Sequence, residues 1–206
     1  MEYFSDEYLI KNTEVKEIGE ELVDVTVYVK DLIIKKSNLF VADRGQVFVR
    51  RTVAEMLKRA AGFLPKGYNI IIYDGYRSEK SQKIYFLNYV RKLKKQNPDW
   101  SNKKLKKEAS KYVANPEGFA PHLTGGAVDV SLAKGGRQIS MGGFIEGKDK
   151  RVTKRTRENR RLLADIMQRA GFVNYTPEWW HWSYGDRYWA AVKKEVALYD
   201  EIKERK

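Results

Sequence analysis

The chain has only two histidines, and both stand in segments whose residue types and spacing suit chemistry. His122 lies in Pro121-His122-Leu123-Thr124-Gly125-Gly126-Ala127-Val128-Asp129. The glycine pair lets the backbone turn closely, and an aspartate then enters an apolar stretch. An ionised Asp129 between Val128 and Val130 is costly to bury unless it is paired or bound to a metal. His181 lies in Glu178-Trp179-Trp180-His181-Trp182, among three of the chain's five tryptophans. On an extended segment the three-residue offset from Glu178 to His181 puts the two on opposite faces. They converge if Glu178 lies in the loop after Pro177. A third segment, Asp74-Gly75-Tyr76-Arg77-Ser78, reads as a strand end that turns through glycine and presents a fixed cation.

His122, Asp129 and His181 would make two nitrogens and one oxygen, the donor set of an open catalytic zinc site with a fourth position left for water. Glu178 beside a ligand then suits a general base, and Arg77 suits stabilisation of an oxyanion. The plainer account is two hydrogen-bonded histidines, a satisfied core acid and a tryptophan cluster in the core. On spacing alone the two accounts stand level.

These segments need elements to hold them. Leu22 to Tyr28 alternates and is β-branched, which predicts a strand. Thr52 to Ala61 predicts a helix with Val53, Met56, Leu57 and Ala60 on one face. Asn69 to Tyr73 predicts a short buried strand. Two basic helices are predicted near 79–96 and 102–113, split by Asn97-Pro98. Ala127 to Val130 predicts a strand, Arg160 to Ala170 a helix stopped by Gly171, Trp180 to Tyr184 a strand, and 188–204 a final amphipathic helix. Strands and helices without regular βαβ alternation predict one α+β domain over residues 1–206, with a mixed or antiparallel sheet.

Composition narrows the function classes. The 206 residues are 42% hydrophobic, enough for a packed core. No cysteine is present, so disulfides and thiolate metal sites are excluded. No apolar run is long enough to span a bilayer, and the first residues carry no basic, apolar leader. The expected compartment is therefore the cytoplasm, or an exported one if a leader has been removed. The net charge is +13, with residues 80–112 holding eleven bases against Asp99 and Glu108. That excess invites a nucleic-acid reading. Neither this stretch nor residues 148–161, with eight bases against Asp149 and Glu158, matches a nucleic-acid-binding motif, and aromatics are not spaced through them as stacking platforms, so solvated helix faces are the better reading and no nucleic acid is expected.

Taken together, Asp74-Gly75-Tyr76-Arg77, His122-x6-Asp129 and Glu178-Trp179-Trp180-His181 resemble the D-alanyl-D-alanine dipeptidases. These belong to the zinc D-Ala-D-Ala metallopeptidases, which include the vancomycin-resistance dipeptidase. The likeness extends over roughly residues 22–184 and takes in Met141-Gly142, the stretch from Asn159 to Met167, and Ala170-Gly171-Phe172. The family's Ser-x-His-x-x-Gly-x-Ala-x-Asp pattern is met except that Ala120 stands for the serine. The resemblance implies a hedgehog-like α+β fold with a zinc site in a central groove and one Zn2+ per chain. It implies ligands His122, Asp129 and His181, catalytic base Glu178, and transition-state cation Arg77. It also implies that Glu146, a longer acid than the family's usual Asp, holds the ammonium of a small D,D-dipeptide substrate. Within the same chemistry a D,D-carboxypeptidase or endopeptidase on peptidoglycan stem peptides is the alternative. A non-enzymatic module that retains zinc is a further one, against which an intact Glu178 argues.

Overall fold

The structure is a computed structural model, which describes residue 10 and residues 12–35, 45–143 and 152–203. In chain order the strands are β1 (Leu22–Asp24), β2 (Ile33–Ile34), β3 (Phe48–Arg50), β4 (Tyr68–Asp74), β5 (Ala127–Lys134), β6 (Arg137–Gln138), β7 (Val173–Asn174) and β8 (His181–Ser183). The helices are α1 (Val25–Tyr28), α2 (Arg51–Gly62), α3 (Glu79–Gln96), α4 (Asn102–Ala109), α5 (Lys154–Ala170) and α6 (Arg187–Lys193), with a 3-10 turn at Pro121–Thr124. The main sheet runs β2-β4-β5-β8-β7, with β6 paired to β5, and β1 and β3 form a small antiparallel pair. Among the described strands of the main sheet only β2 and β4 pair in parallel, so the sheet is mixed, as predicted.

The two faces of β5 divide the molecule into layers. Val128, Val130 and Leu132 point into the larger core, with Val53, Met56 and Leu57 of α2 and Leu163, Ile166 and Met167 of α5. Ala133 points the other way, into a second core with Ile71, Tyr73 and with Tyr85 and Phe86 of α3 and Ala109 of α4. Asp129 shares that second face by the alternation of the strand. The chemical side chains therefore sit on the face covered by α3 and α4.

Local chemistry explains where elements begin and end. The predicted strand over 22–28 stops at Asp24, whose side chain accepts from the Thr26 amide and opens the one-turn helix α1 instead. Helix α5 starts at Lys154, earlier than predicted, because Thr153 caps it. It ends where Gly171, at φ 108°, lets Phe172 N–H reach the Met167 carbonyl at 3.0 Å. The predicted helix over 188–204 is corrected: α6 ends at Lys193, and Lys194 adopts φ 59°. The chain then turns back, and Leu198 and Tyr199 both donate to the Gly185 carbonyl. Helix α4 likewise ends at Ala109, short of 113. Among the described residues, no helix is long and apolar enough to cross a membrane.

Candidate metal centre

Register across three strands assembles the site. Between β4 and β5 the pairing shifts, so that Ile72 faces Val130 but Asp74 faces Asp129, leaving Tyr73 as the extra residue of a bulge. Between β5 and β8, Asp129 faces His181. Directly opposed residues share a face, so Asp74, Asp129 and His181 form one row across the sheet. Without the bulge, Asp74 would have faced Val128.

His122 reaches this row from the 3-10 turn. Gly125, at φ 74°, closes the turn, and a Cβ on Gly126 would stand 2.5 Å from the Tyr184 carbonyl. The turn is stitched to its surroundings. Arg77 N–H donates to the His122 carbonyl at 3.0 Å, and Arg50 N–H to the Gly125 carbonyl at 3.0 Å. The buried Arg50 side chain donates from Nε to the Thr124 carbonyl at 2.7 Å. Ile202 N–H donates to the Leu123 carbonyl at 2.9 Å, and Ala120 N–H to Glu201 Oε1 at 2.8 Å.

His122, Asp129 and His181 are all buried. His122 Nδ1 is 2.8 Å from the Gly75 carbonyl. A carbonyl only accepts, so Nδ1 carries the proton and Nε2 keeps its lone pair, 3.5 Å from Asp129 Oδ1. His181 Nδ1 lies 3.1 Å from the same oxygen, and the two imidazole rings meet edge to face with centroids 5.0 Å apart. One donor atom from each residue lies within 4.8 Å of the others. Ligands about 2 Å from a common tetrahedral ion stand roughly 3.3 Å apart, close to the 3.5 and 3.1 Å from the two imidazole nitrogens to Asp129 Oδ1, so this donor set suits a single Zn2+. The Gly75 carbonyl supplies the outer hydrogen bond that usually fixes a ligating histidine. A Cβ on Gly75 would come within 2.5 Å of the Phe48 carbonyl, which reserves the position for glycine.

Electrostatics agrees with that geometry. Burial opposes ionisation of Asp129, but the two imidazoles outweigh it and hold the carboxyl well below the usual range. Burial also opposes charge on His122, and Asp129 reverses this and raises its pKa.

Glu178 sits in the turn before β8, where Glu178 N–H donates to the Tyr175 carbonyl and His181 N–H to the Glu178 carbonyl. Asn174 Nδ2 donates to the Glu178 and His181 carbonyls, both at 2.9 Å. The turn removes the opposite-face problem of an extended segment, and Glu178 Oε2 comes 3.9 Å from His181 Nδ1. Burial pushes the Glu178 carboxyl up to about 7. Its side chain remains 24% exposed, against 4% for Asp129. Glu178 therefore lies on the side of the tripod that solvent reaches.

Arg77 follows β4, and its Nε and Nη2 both donate to Asp74 Oδ2, Nε at 3.1 Å. Burial disfavours its charge, but Asp74 and then Asp129 more than offset this and raise the pKa. Nη1 donates to Gln82 Oε1 at 2.6 Å, and Cζ lies 4.8 Å from the centre of the Tyr85 ring. Five sequence-selected residues thus come together: Arg77, His122, Asp129, Glu178 and His181. Glu146 lies outside the described residues. Sequence reasoning assigned no role to Asp74, Gln82 and Tyr85. Spacing held a signal for the last two, because positions five and eight after Arg77 fall on one face of the helix that follows.

A buried His-Asp-His tripod on a mixed sheet, flanked by a carboxylate and an arginine, has the donor set of a metal site. The chain belongs to the D-ala-D-ala dipeptidase family, whose profile matches residues 11–199. It is 33% identical to the D-alanyl-D-alanine dipeptidase of Synechocystis sp. over 95 residues, 37% of this chain and 38% of that protein. It is 30% identical to that of Enterococcus faecalis over 129 residues, 56% of this chain and 62% of that protein. It is 29% identical to that of Escherichia coli over 179 residues, 78% and 83% of the two chains. The match thus spans less than two thirds of the cyanobacterial and enterococcal proteins. Among solved structures, the fold is similar to a mutant of the vancomycin resistance D,D-pentapeptidase VanY in complex with Zn(II). The TM-score is 0.51 at 22% identity, over 73% of this chain and 80% of that one. VanYB in complex with D-alanine-D-alanine gives 0.50 at 19% identity, over 75% and 83%.

Proposed function

We propose that this chain hydrolyses the dipeptide D-Ala-D-Ala with one Zn2+ held by His122, Asp129 and His181. When bound, the ion polarises the scissile carbonyl and acidifies a water molecule. The rest is done by the chain's own groups. His122 keeps its Nε2 lone pair aimed at the tripod because Nδ1–H is fixed on the Gly75 carbonyl. Asp129 offers an ionised oxygen to both imidazoles. Glu178 takes the proton of the attacking water at its carboxylate and passes it to the leaving amine nitrogen. The water oxygen bonds to the carbonyl carbon, the C–N bond breaks, and two molecules of D-alanine leave. Arg77 donates to the oxyanion that forms in between, and Asp74 secures its charge. Glu146 is the residue proposed to meet the substrate ammonium.

The observation that carries this reading is Glu178 beside the tripod: among the described residues it is the carboxylate there that is partly exposed and poised near neutrality. Membership of the family supplies the substrate class. Metal content and turnover of D-Ala-D-Ala, before and after chelation and reconstitution with Zn2+, provide the test. Loss and recovery of both together is the expected result. Full turnover without metal would reject the reading. Comparing kcat/KM for the free and N-acetylated dipeptide, in wild type and Glu146→Gln, tests the substrate assignment. Wild type is expected to prefer the free dipeptide strongly, and Glu146→Gln to erode that preference. Equal cleavage of both by wild type would favour a peptidase of longer wall peptides.

A further inference from the structure

The pairing of Arg77 with Asp74 leaves one degree of freedom open. A carboxylate that takes two guanidinium N–H groups on two oxygens fixes the plane of the arginine. Here Nε and Nη2 converge on the single oxygen Oδ2, while Asp74 Oδ1 accepts from the Gly75 amide at 3.0 Å. One shared oxygen sets the distance of the guanidinium but allows its plane to roll. An arginine that serves an oxyanion must aim its edge, because hydrogen bonds weaken steeply with angle.

Two residues of α3 close that freedom. Ser78 caps the helix, accepting from the Ser81 amide at 3.2 Å, and so fixes the first turns beside Arg77. Gln82 is fully buried, and both ends of its amide are engaged. Oε1 accepts from Arg77 Nη1 at 2.6 Å, and Nε2 donates to the Ala114 carbonyl at 2.6 Å. Flipping the amide would set donor against donor and acceptor against acceptor, so its orientation is fixed as well. Tyr85, one turn further along the same face, is buried with its ring 4.8 Å from Arg77 Cζ. The ring stands on the second core with Ile71, Tyr73 and Phe86, so it is itself braced.

We propose that Tyr85 and Gln82 are positioning residues for Arg77: the aromatic face and the fixed amide set the tilt of the guanidinium that Asp74 alone leaves loose. The inference rests on the role given to Arg77 above. It assigns the aromatic ring of Tyr85, and not its hydroxyl, to the task. The cost of losing tilt falls on the transition state, where the oxyanion forms, and not on ground-state binding.

The test compares Arg77→Ala, Tyr85→Leu, Tyr85→Phe and Gln82→Met as zinc-loaded enzymes. Metal content and melting temperature are recorded for each. So are kcat and KM on D-Ala-D-Ala and the Kd of a phosphinate analogue of the dipeptide. Arg77→Ala is expected to lose about 10²–10³-fold in kcat. Tyr85→Leu should lose about 10-fold in kcat with little change in KM, the scale of one buried cation–π contact. Its affinity for the phosphinate should weaken by a similar factor. Tyr85→Phe should restore both to within about threefold of wild type, because the ring face is kept. Gln82→Met, close in volume, should show the same split between kcat and KM, and it carries the test if Tyr85→Leu folds poorly. The inference is overturned if Tyr85→Phe is as impaired as Tyr85→Leu, since the hydroxyl would then be the working group. It is also overturned if both Tyr85→Leu and Gln82→Met keep full kcat while Arg77→Ala is impaired. An undiminished Arg77→Ala would sink the reading of Arg77 itself, and the inference with it.

Discussion

The tripod and the outer surface of α3 and α4 are both dense in charge, and they are opposites. In the tripod, three ionisable groups lie buried with one donor atom of each within 4.8 Å of the others, and the pKa values of Asp129 and His122 move in consequence. Along residues 80–112, ten of eleven basic side chains are exposed, and the remaining one, Lys92, is half-buried. Lys111 pairs with Glu108, and Lys94 donates to the Pro98 and Trp100 carbonyls, but most project into water. Charge number is thus a poor guide to where chemistry sits. Burial against an opposite charge is the better guide, because water screens the exposed set strongly and the buried set far less.

Four measurements probe the two regions. The largest effect is expected in the tripod. His122→Ala, Asp129→Asn and His181→Ala should each drop zinc below about 0.1 per chain and turnover by at least about 10³-fold, read by metal analysis and dipeptide hydrolysis. Retention of full zinc by both histidine variants would place the metal elsewhere. Next, Glu178→Gln should keep zinc and fold yet lose about 10²–10⁴-fold in kcat, because an amide cannot take the proton. Normal kcat with normal zinc would remove Glu178 as base.

The third outcome concerns pH in the metal-free protein. The folded pKa of Glu178 is raised from 4.5 to about 7, so the folded chain holds this proton more firmly than the unfolded chain. Its contribution therefore favours folding below pH 4.5 and is progressively lost up to about pH 7. Urea unfolding under chelation should show wild type weaker at pH 8 than at pH 5 by on the order of 2 kcal/mol from this group. Glu178→Gln should lack that part of the difference. An identical pH dependence in both would mean that burial costs the carboxylate little.

The smallest effect belongs to the outer surface. Replacing Lys103, Lys106 and Lys107 by Gln together should leave stability within about 0.5 kcal/mol and kcat within about twofold. A large loss in either would show that this face serves the reaction after all.

Scarcity made most of the site legible. With two histidines, each beside a carboxylate in a Gly- or Trp-rich segment, few other places could hold a tripod. The core strands and the apolar faces of α2 and α5 followed from periodicity for the same local reason. What stayed hidden was long-range. The bulge at Tyr73, which turns Asp74 toward Asp129, depends on pairing between residues 55 apart in the chain and has no local signature. Gln82 and Tyr85 were lost in a helix whose charge drew the eye outward. The 22–28 segment has strand propensity throughout, yet one cap at Asp24 was enough to redirect it. The amphipathic pattern past Lys193 was overridden by tertiary hydrogen bonds to Gly185 and Leu123.

Those same hydrogen bonds have a consequence for the order in which the molecule is made. The His122 turn receives two of its fastenings from Glu201 and Ile202, some 80 residues further along the chain. At ribosomal speeds of about 5–20 residues per second, roughly 4–16 s separate the addition of His122 from that of Ile202. The nascent chain holds all three donor residues once His181 has emerged, yet the turn that aims the first of them still lacks its last two ties. His122 is therefore tied into its final place only after Asp129 and His181 have both been made.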